Sequence, residues 1–128
     1  MAPVFRPTWV EVDLEIIKEN YRNIKRYVYG AEVIAVVKAN AYGMGLLPTV
    51  GALANAGCRY FAVATPDEAF ELRASGFRGS VLVIGPAIES CAPLYVKHDI
   101  ETVCADENFL ERLNACGVEQ DKRAKVHY

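Results

Sequence analysis

Two kinds of apolar pattern alternate along this chain. Val33 to Val37, Tyr60 to Ala64 and Val81 to Ile84 are short unbroken apolar runs. Such runs read as strands buried on both faces, as in a parallel sheet covered by helices. Between them apolar residues recur at helical spacing. Leu14, Ile17, Tyr21, Ile24 and Val28 form one stripe, which should pack on a sheet. Asp13 can cap that helix and Gly30 can close it. Pro48 suits the first turn of a second helix, carrying Val50, Leu53 and Ala54 inward and stopping at Gly57. Thr65-Pro66-Asp67-Glu68 is a capping box with proline at the first helical position; its helix runs toward Ala74 and ends at Gly76.

The remaining segments are shorter. Thr8 to Val12 reads as a strand with Val10 and Val12 on one face. A helix is expected over about Ile88 to Tyr95 and a short strand over Thr102 to Cys104. Asp106 can cap a helix carrying Phe109, Leu110 and Leu113, ended by Gly117. Ala124 to Tyr128 begins one more strand. Strands thus alternate with helices at intervals of about 20 to 27 residues, the mark of repeated βαβ units.

Composition narrows this little. The 128 residues are 52% hydrophobic and 23% charged, ordinary for one globular domain. A net charge of −2 suggests no nucleic-acid or anionic-membrane partner. No stretch approaches the roughly 20 apolar residues of a membrane span, and MAPVFRPTW lacks the apolar core of a signal peptide. Cys58, Cys91, Cys104 and Cys116 are scattered and read as small buried side chains, not as a metal site or disulfide framework. His98 and His127 have no ligand-like neighbours in the sequence, so no metal is expected. A cytoplasmic location fits.

The candidate chemistry sits in VIAVVKANAYGMG, residues 33 to 45. Lys38 comes directly after the buried run with no spacer. In parallel α/β folds, ligands bind at the carboxyl ends of strands. An amine there, with its stem in apolar surroundings, loses solvation; that disfavours the ammonium and leaves a neutral amine able to attack a carbonyl. The plain alternative is a strand-end lysine that snorkels to water. Two glycines bracket Met44 and allow close backbone approach to a ligand. Tyr42 could donate its hydroxyl to an anion.

AVVKANAYGMG, residues 35 to 45, resembles the pyridoxal-phosphate lysine signature of alanine racemases. TWVEVDLEIIKENYRNIK (8 to 25) is similar to that family's first strand and helix, and FAVATPDEAFELRASG (61 to 76) and VLVIGPA (81 to 87) fall at its spacing. The resemblance implies a partial TIM-type (β/α) barrel that binds pyridoxal 5'-phosphate, with Lys38 as Schiff-base lysine and one of two catalytic bases. It implies interconversion of L-alanine and D-alanine, which supplies D-alanine for peptidoglycan. Tyr42 matches the tyrosine that reaches the cofactor phosphate. Val36 and Ile84 match apolar residues lining the cofactor, and ordinary barrel core is an equal reading for both. Asn40 is expected to be structural, and Glu68 to be a cap without a catalytic role. Met44 departs from the pattern, which usually has histidine there; methionine packs but does not titrate.

A closed barrel of this type needs about 250 residues. The resemblance implies that residues 1 to 128 are the N-terminal portion, without the second half of the barrel and a C-terminal β-domain. The resemblance places the ring-binding arginines, and a second base given by the partner protomer of a homodimer, beyond Tyr128. The chain alone is then expected to bind cofactor weakly at best and not to racemise. Three other enzyme or carrier readings share the fold: a broad-specificity racemase, an amino-acid decarboxylase, and a non-catalytic pyridoxal-phosphate-binding barrel. Decarboxylases lack the A-Y-G-x-G loop after the lysine. A signalling receiver domain has similar length, but needs clustered acidic residues after its first and third strands; here Asp13 stands alone and Thr65-Pro66 comes after the third.

Overall fold

In the computed structural model, which describes residues 8–128, five short strands run parallel and lie side by side in chain order. The segment MAPVFRP, on which the expectation of no signal peptide mostly rests, lies outside the described residues. The strands are β1 (Ile34–Val36), β2 (Tyr60–Val63), β3 (Ser80–Val83), β4 (Glu101–Val103) and β5 (Val126–His127). Each pair is joined through helix, so the connections are successive βα units turning the same way round one sheet. That is the order of a partial (β/α) barrel.

The helices form where capping and periodicity predict. Asp13 Oδ1 accepts the amides of Glu15 at 2.9 Å and Ile16 at 3.2 Å to start α1 (Leu14–Tyr27). A short turn after β1, α2 (Lys38–Tyr42), leads to α3 (Leu46–Asn55), which holds Pro48 in its first turn. α4 (Pro66–Ala74) opens with the full capping box of Thr65 and Glu68. A short 3₁₀ turn, Glu89–Cys91, leads into α5 (Ala92–Lys97), and α6 (Glu107–Glu119) starts on the Asp106 cap.

Register sorts the side chains into two faces. Phe61, Val63, Val81, Val83 and Thr102 are buried toward the helices, where Leu72, Tyr95, Phe109 and Leu113 complete the core. Phe77 meets Phe61 edge-on at 5.0 Å between ring centroids. The other face carries the row Val36, Ala62, Leu82 and Glu101. Ile34, Tyr60, Ser80 and His127 line a hollow on that open face.

Several expectations change. β1 is not buried on both faces: it is the edge of the sheet, and Ile34 and Val36 are exposed. Thr8 to Val12 forms no strand among the described residues, and Trp9 and Val10 are exposed. No neighbouring strand there offers its backbone groups a ladder. The α1 stripe packs on helix α3 instead of the sheet, leaving Ile24 exposed. Leu110 also faces outward. Gly117 does not end α6 but is buried within it, because a Cβ there would lie 2.7 Å from the Lys122 carbonyl. Three of the cysteines are buried, and all four are free.

Candidate active site

Lys38 stands at the carboxyl end of β1. The Val37 amide donates to the Ala62 carbonyl at 2.8 Å, so the ladder with β2 reaches the residue just before the lysine. The Lys38 side chain is half-buried and makes no ion pair among the described residues.

From Lys38 the chain enters a single left-handed turn, the element α2. Ala39, Asn40, Ala41 and Tyr42 have φ between 52° and 55°. For L-residues this conformation costs about 1–2 kcal/mol each, and of the four only asparagine visits it readily. Four in succession are retained only where surrounding bonds over-determine them. The bonds are present. The Ala41 amide donates to the Val37 carbonyl at 2.9 Å, and the Gly45 amide to the Asn40 carbonyl at 3.0 Å. Asn40 Oδ1 accepts the Leu46 amide at 2.8 Å, which caps α3. The Asn40 amide donates to Glu68 Oε1 at 3.4 Å, and Glu68 Oε2 takes the Ala64 amide at 2.9 Å. Gly43 and Gly45, at φ +86° and +96°, carry the chain out of the turn into α3.

The other predicted residues gather at the same edge. Val36 is the last residue of β1 and is 42% exposed; Ile84 comes directly after β3 and is 39% exposed. That leaves aliphatic surface open to a ligand at the strand ends. Tyr42 closes the turn with its side chain 59% exposed, so its hydroxyl is free to meet an anion. An amine, a phenol and aliphatic walls suit an aldehyde-bearing aromatic phosphate. Gly85 adds to the tight packing of this edge, because a Cβ there would lie 2.0 Å from the Ala64 carbonyl. Met44 is exposed.

The sequence did not reveal two groupings. The tie between Asn40 and Glu68 spans 28 residues, and the capping-box signature accounts for Glu68 without it. On the open face, His127 and Ser80 both hydrogen-bond to Glu101. His127 therefore does have a partner, on the neighbouring strand. Burial pushes the Glu101 carboxyl up, but the hydrogen bonds from Ser80 and His127 outweigh it and hold the group below the usual carboxylate range.

Comparison with known proteins points to one family. Alanine racemase 2 of Caldanaerobacter subterraneus subsp. tengcongensis is 42% identical over 128 residues, 99% of this chain and 33% of that protein. The crystal structure of alanine racemase from Bacillus anthracis, solved with bound L-Ala-P, superposes with a TM-score of 0.86 at 33% identity, covering 98% of this chain and 33% of that one. Histidine racemase from Leuconostoc mesenteroides superposes with a TM-score of 0.80 at 26% identity, covering 88% of this chain and 30% of that one. The chain spans about a third of the length of the curated relatives it matches. With residues 12–128 matching the family model described as "Alanine racemase, N-terminal domain", this chain belongs to the alanine racemase N-terminal domain family.

Proposed function

We propose that this chain is the cofactor-holding barrel portion of a pyridoxal-phosphate-dependent racemase that interconverts L- and D-alanine. The observation that carries the reading is the position of Lys38, at the carboxyl edge of a parallel sheet and at the head of a strained turn. When bound, pyridoxal phosphate supplies the electron sink that acidifies the α-hydrogen of an amino acid. Lys38 would be the covalent tether at rest; once the substrate's amino group displaces it from the cofactor, its freed Nζ would be the base that takes or returns the α-proton on one face. Tyr42 donates its hydroxyl to the phosphate. Val36 and Ile84 give the ring an apolar wall and keep water from that side.

Inversion needs a proton removed on one face and delivered on the other. This chain offers one amine to one face, so alone it exchanges the α-hydrogen without efficient inversion. The second base and the ring-binding arginines belong to the remainder of a full-length, cytoplasmic homodimer, which would supply D-alanine for peptidoglycan. Residues 1–128 are then its N-terminal portion. A second reading keeps the site and changes the substrate. The likeness to a histidine racemase, at a TM-score of 0.80, fits a racemase of broader side-chain specificity.

The test is chemical. Incubation with pyridoxal phosphate, borohydride reduction and peptide mapping should place the label on Lys38. A coloured adduct undiminished in Lys38→Ala would refute the assignment. Racemisation of alanine by the 128-residue chain at the rate of a whole enzyme would refute the one-base account.

A further inference from the structure

The turn after Lys38 is held from outside itself. Its own bonds, Ala41 to Val37 and Gly43 to Ala39, would form in a turn of either hand. What favours the left hand is Asn40, all of whose backbone and side-chain acceptors are engaged: its carbonyl takes the amides of Gly43 and Gly45, and its Oδ1 takes that of Leu46. Its amide goes to Glu68, a residue rooted on another element. The Glu68 carboxylate is fixed there by the Ala64 amide at 2.9 Å and the Thr65 amide at 3.4 Å, at the carboxyl end of β2. Its second oxygen, Oε1, is what reaches across to Asn40.

We infer that Glu68 is a positioning residue for Lys38: its carboxylate ties the amide of Asn40 to the end of β2 and so keeps the left-handed turn in which the lysine is presented. The inference rests on the reading of Lys38 as cofactor tether, and it adds a task to a residue whose capping role is complete without it. The two oxygens divide the work. Oε2 serves the cap and Oε1 serves the turn. A charged acceptor is needed for both, because a carboxylate accepts on each oxygen while an amide accepts on only one.

That division gives the test. Glu68→Gln keeps one acceptor, which the shorter bond to Ala64 should hold, and turns an NH₂ donor toward the Asn40 N–H. The cap survives and the clamp is lost. Glu68→Ala loses both. In the full-length protein, amide exchange at Asn40 should quicken by about tenfold or more in both variants, an opening cost of the size of one hydrogen bond. Pyridoxal-phosphate labelling of Lys38, with borohydride reduction, should slow by about tenfold or more, because a misdirected nucleophile loses its approach geometry. The melting temperature should fall clearly only in Glu68→Ala. Should that variant fail to fold, Glu68→Gln decides alone. Unchanged Asn40 exchange in Glu68→Gln overturns the clamp. Faster exchange with labelling of Lys38 at the wild-type rate overturns the positioning role. Failure of the wild-type protein to label at Lys38 instead overturns the cofactor reading, and the clamp is then decided by Asn40 exchange.

Discussion

His127 Nε2 lies 2.8 Å from Glu101 Oε2, across the seam between β4 and β5, while Glu101 Oε1 takes the hydroxyl of Ser80 on β3. One carboxylate thus bridges three strands on the open face of the sheet. The bridge has a pH signature. Glu101 is held below its ordinary value of 4.5 by the bonds from Ser80 and His127, which outweigh the upward push of burial. A depressed carboxyl adds stability above its unfolded pKa and loses it as pH falls through the folded one. Urea midpoints of the wild type should therefore drop below about pH 4.5. Glu101→Gln should be less stable at neutral pH and should close the gap to wild type as acid is added. A gap that stays constant from about pH 6 to about pH 3 would show that Glu101 does not carry this acid dependence.

Tyr95 presents the opposite sign. Its hydroxyl is buried beside the Thr102 side chain but forms no hydrogen bond of good geometry among the described residues; burial lifts its pKa from 10.0 to about 12, with Thr102 opposing the shift. Its ring meets Phe109 edge-on at 6.5 Å, a contact that phenylalanine would keep. Tyr95→Phe removes a buried hydroxyl that makes no well-formed hydrogen bond, without opening a cavity, so stability should change by no more than about 1 kcal/mol. A raised tyrosine contributes stability that is whole below pH 10.0 and lost as pH climbs toward about 12. Alkaline unfolding should accordingly be shallower in Tyr95→Phe across that window. A loss of more than about 1 kcal/mol at neutral pH would mean the hydroxyl makes a net favourable contact.

Much of the frame could be read from local signals, and the reasons are local. Asp13, Thr65 and Asp106 cap the helices they precede because each satisfies amides within three residues of itself. The runs at Tyr60 and Val81 become strands with a neighbour on each side, and their centres (Phe61 to Val63, Val81 to Val83) are buried while Tyr60 and Ile84 at their ends stay exposed. The run at Val33 has the same letters but sits at the edge of the sheet, and edge position is a property of topology, not of composition. Gly117 reads as a helix stop for the same reason that it is not one. Glycine serves both a left-handed cap and a close backbone approach, and only the Lys122 carbonyl shows which. The left-handed function of a cap falls instead to Asp121, at φ 51°. At the candidate site, the resemblance singles out Lys38, Tyr42, Val36 and Ile84, and the structure sets them at or just past the carboxyl ends of β1 and β3. The hand of the turn is illegible, because Ala-Asn-Ala-Tyr contains no glycine and the acceptor that holds it is 28 residues away.

Arg73 shows how far such non-local ties matter to the frame. Its guanidinium donates to four carbonyls: Phe77 at 3.2 Å, Gly79 at 2.8 Å, His98 at 2.9 Å and Asp99 at 2.7 Å. One planar fork thus joins the end of α4 to the loop before β3 and to the turn that links α5 with β4. Burial pulls its pKa down; a guanidinium keeps its charge in proteins all the same. Arg73→Ala would strand four acceptors, some of which water can reach, so the cost should be about 2–3 kcal/mol, below the sum of four buried charged bonds. Lysine restores the charge but not the fork, and one ammonium cannot reach both carbonyl pairs. Arg73→Lys should therefore recover less than half of the loss. Denaturant titration of the two variants measures this directly. Full recovery by lysine would show that charge alone matters at this junction, and that the planar geometry of the fork contributes nothing to joining the two loops.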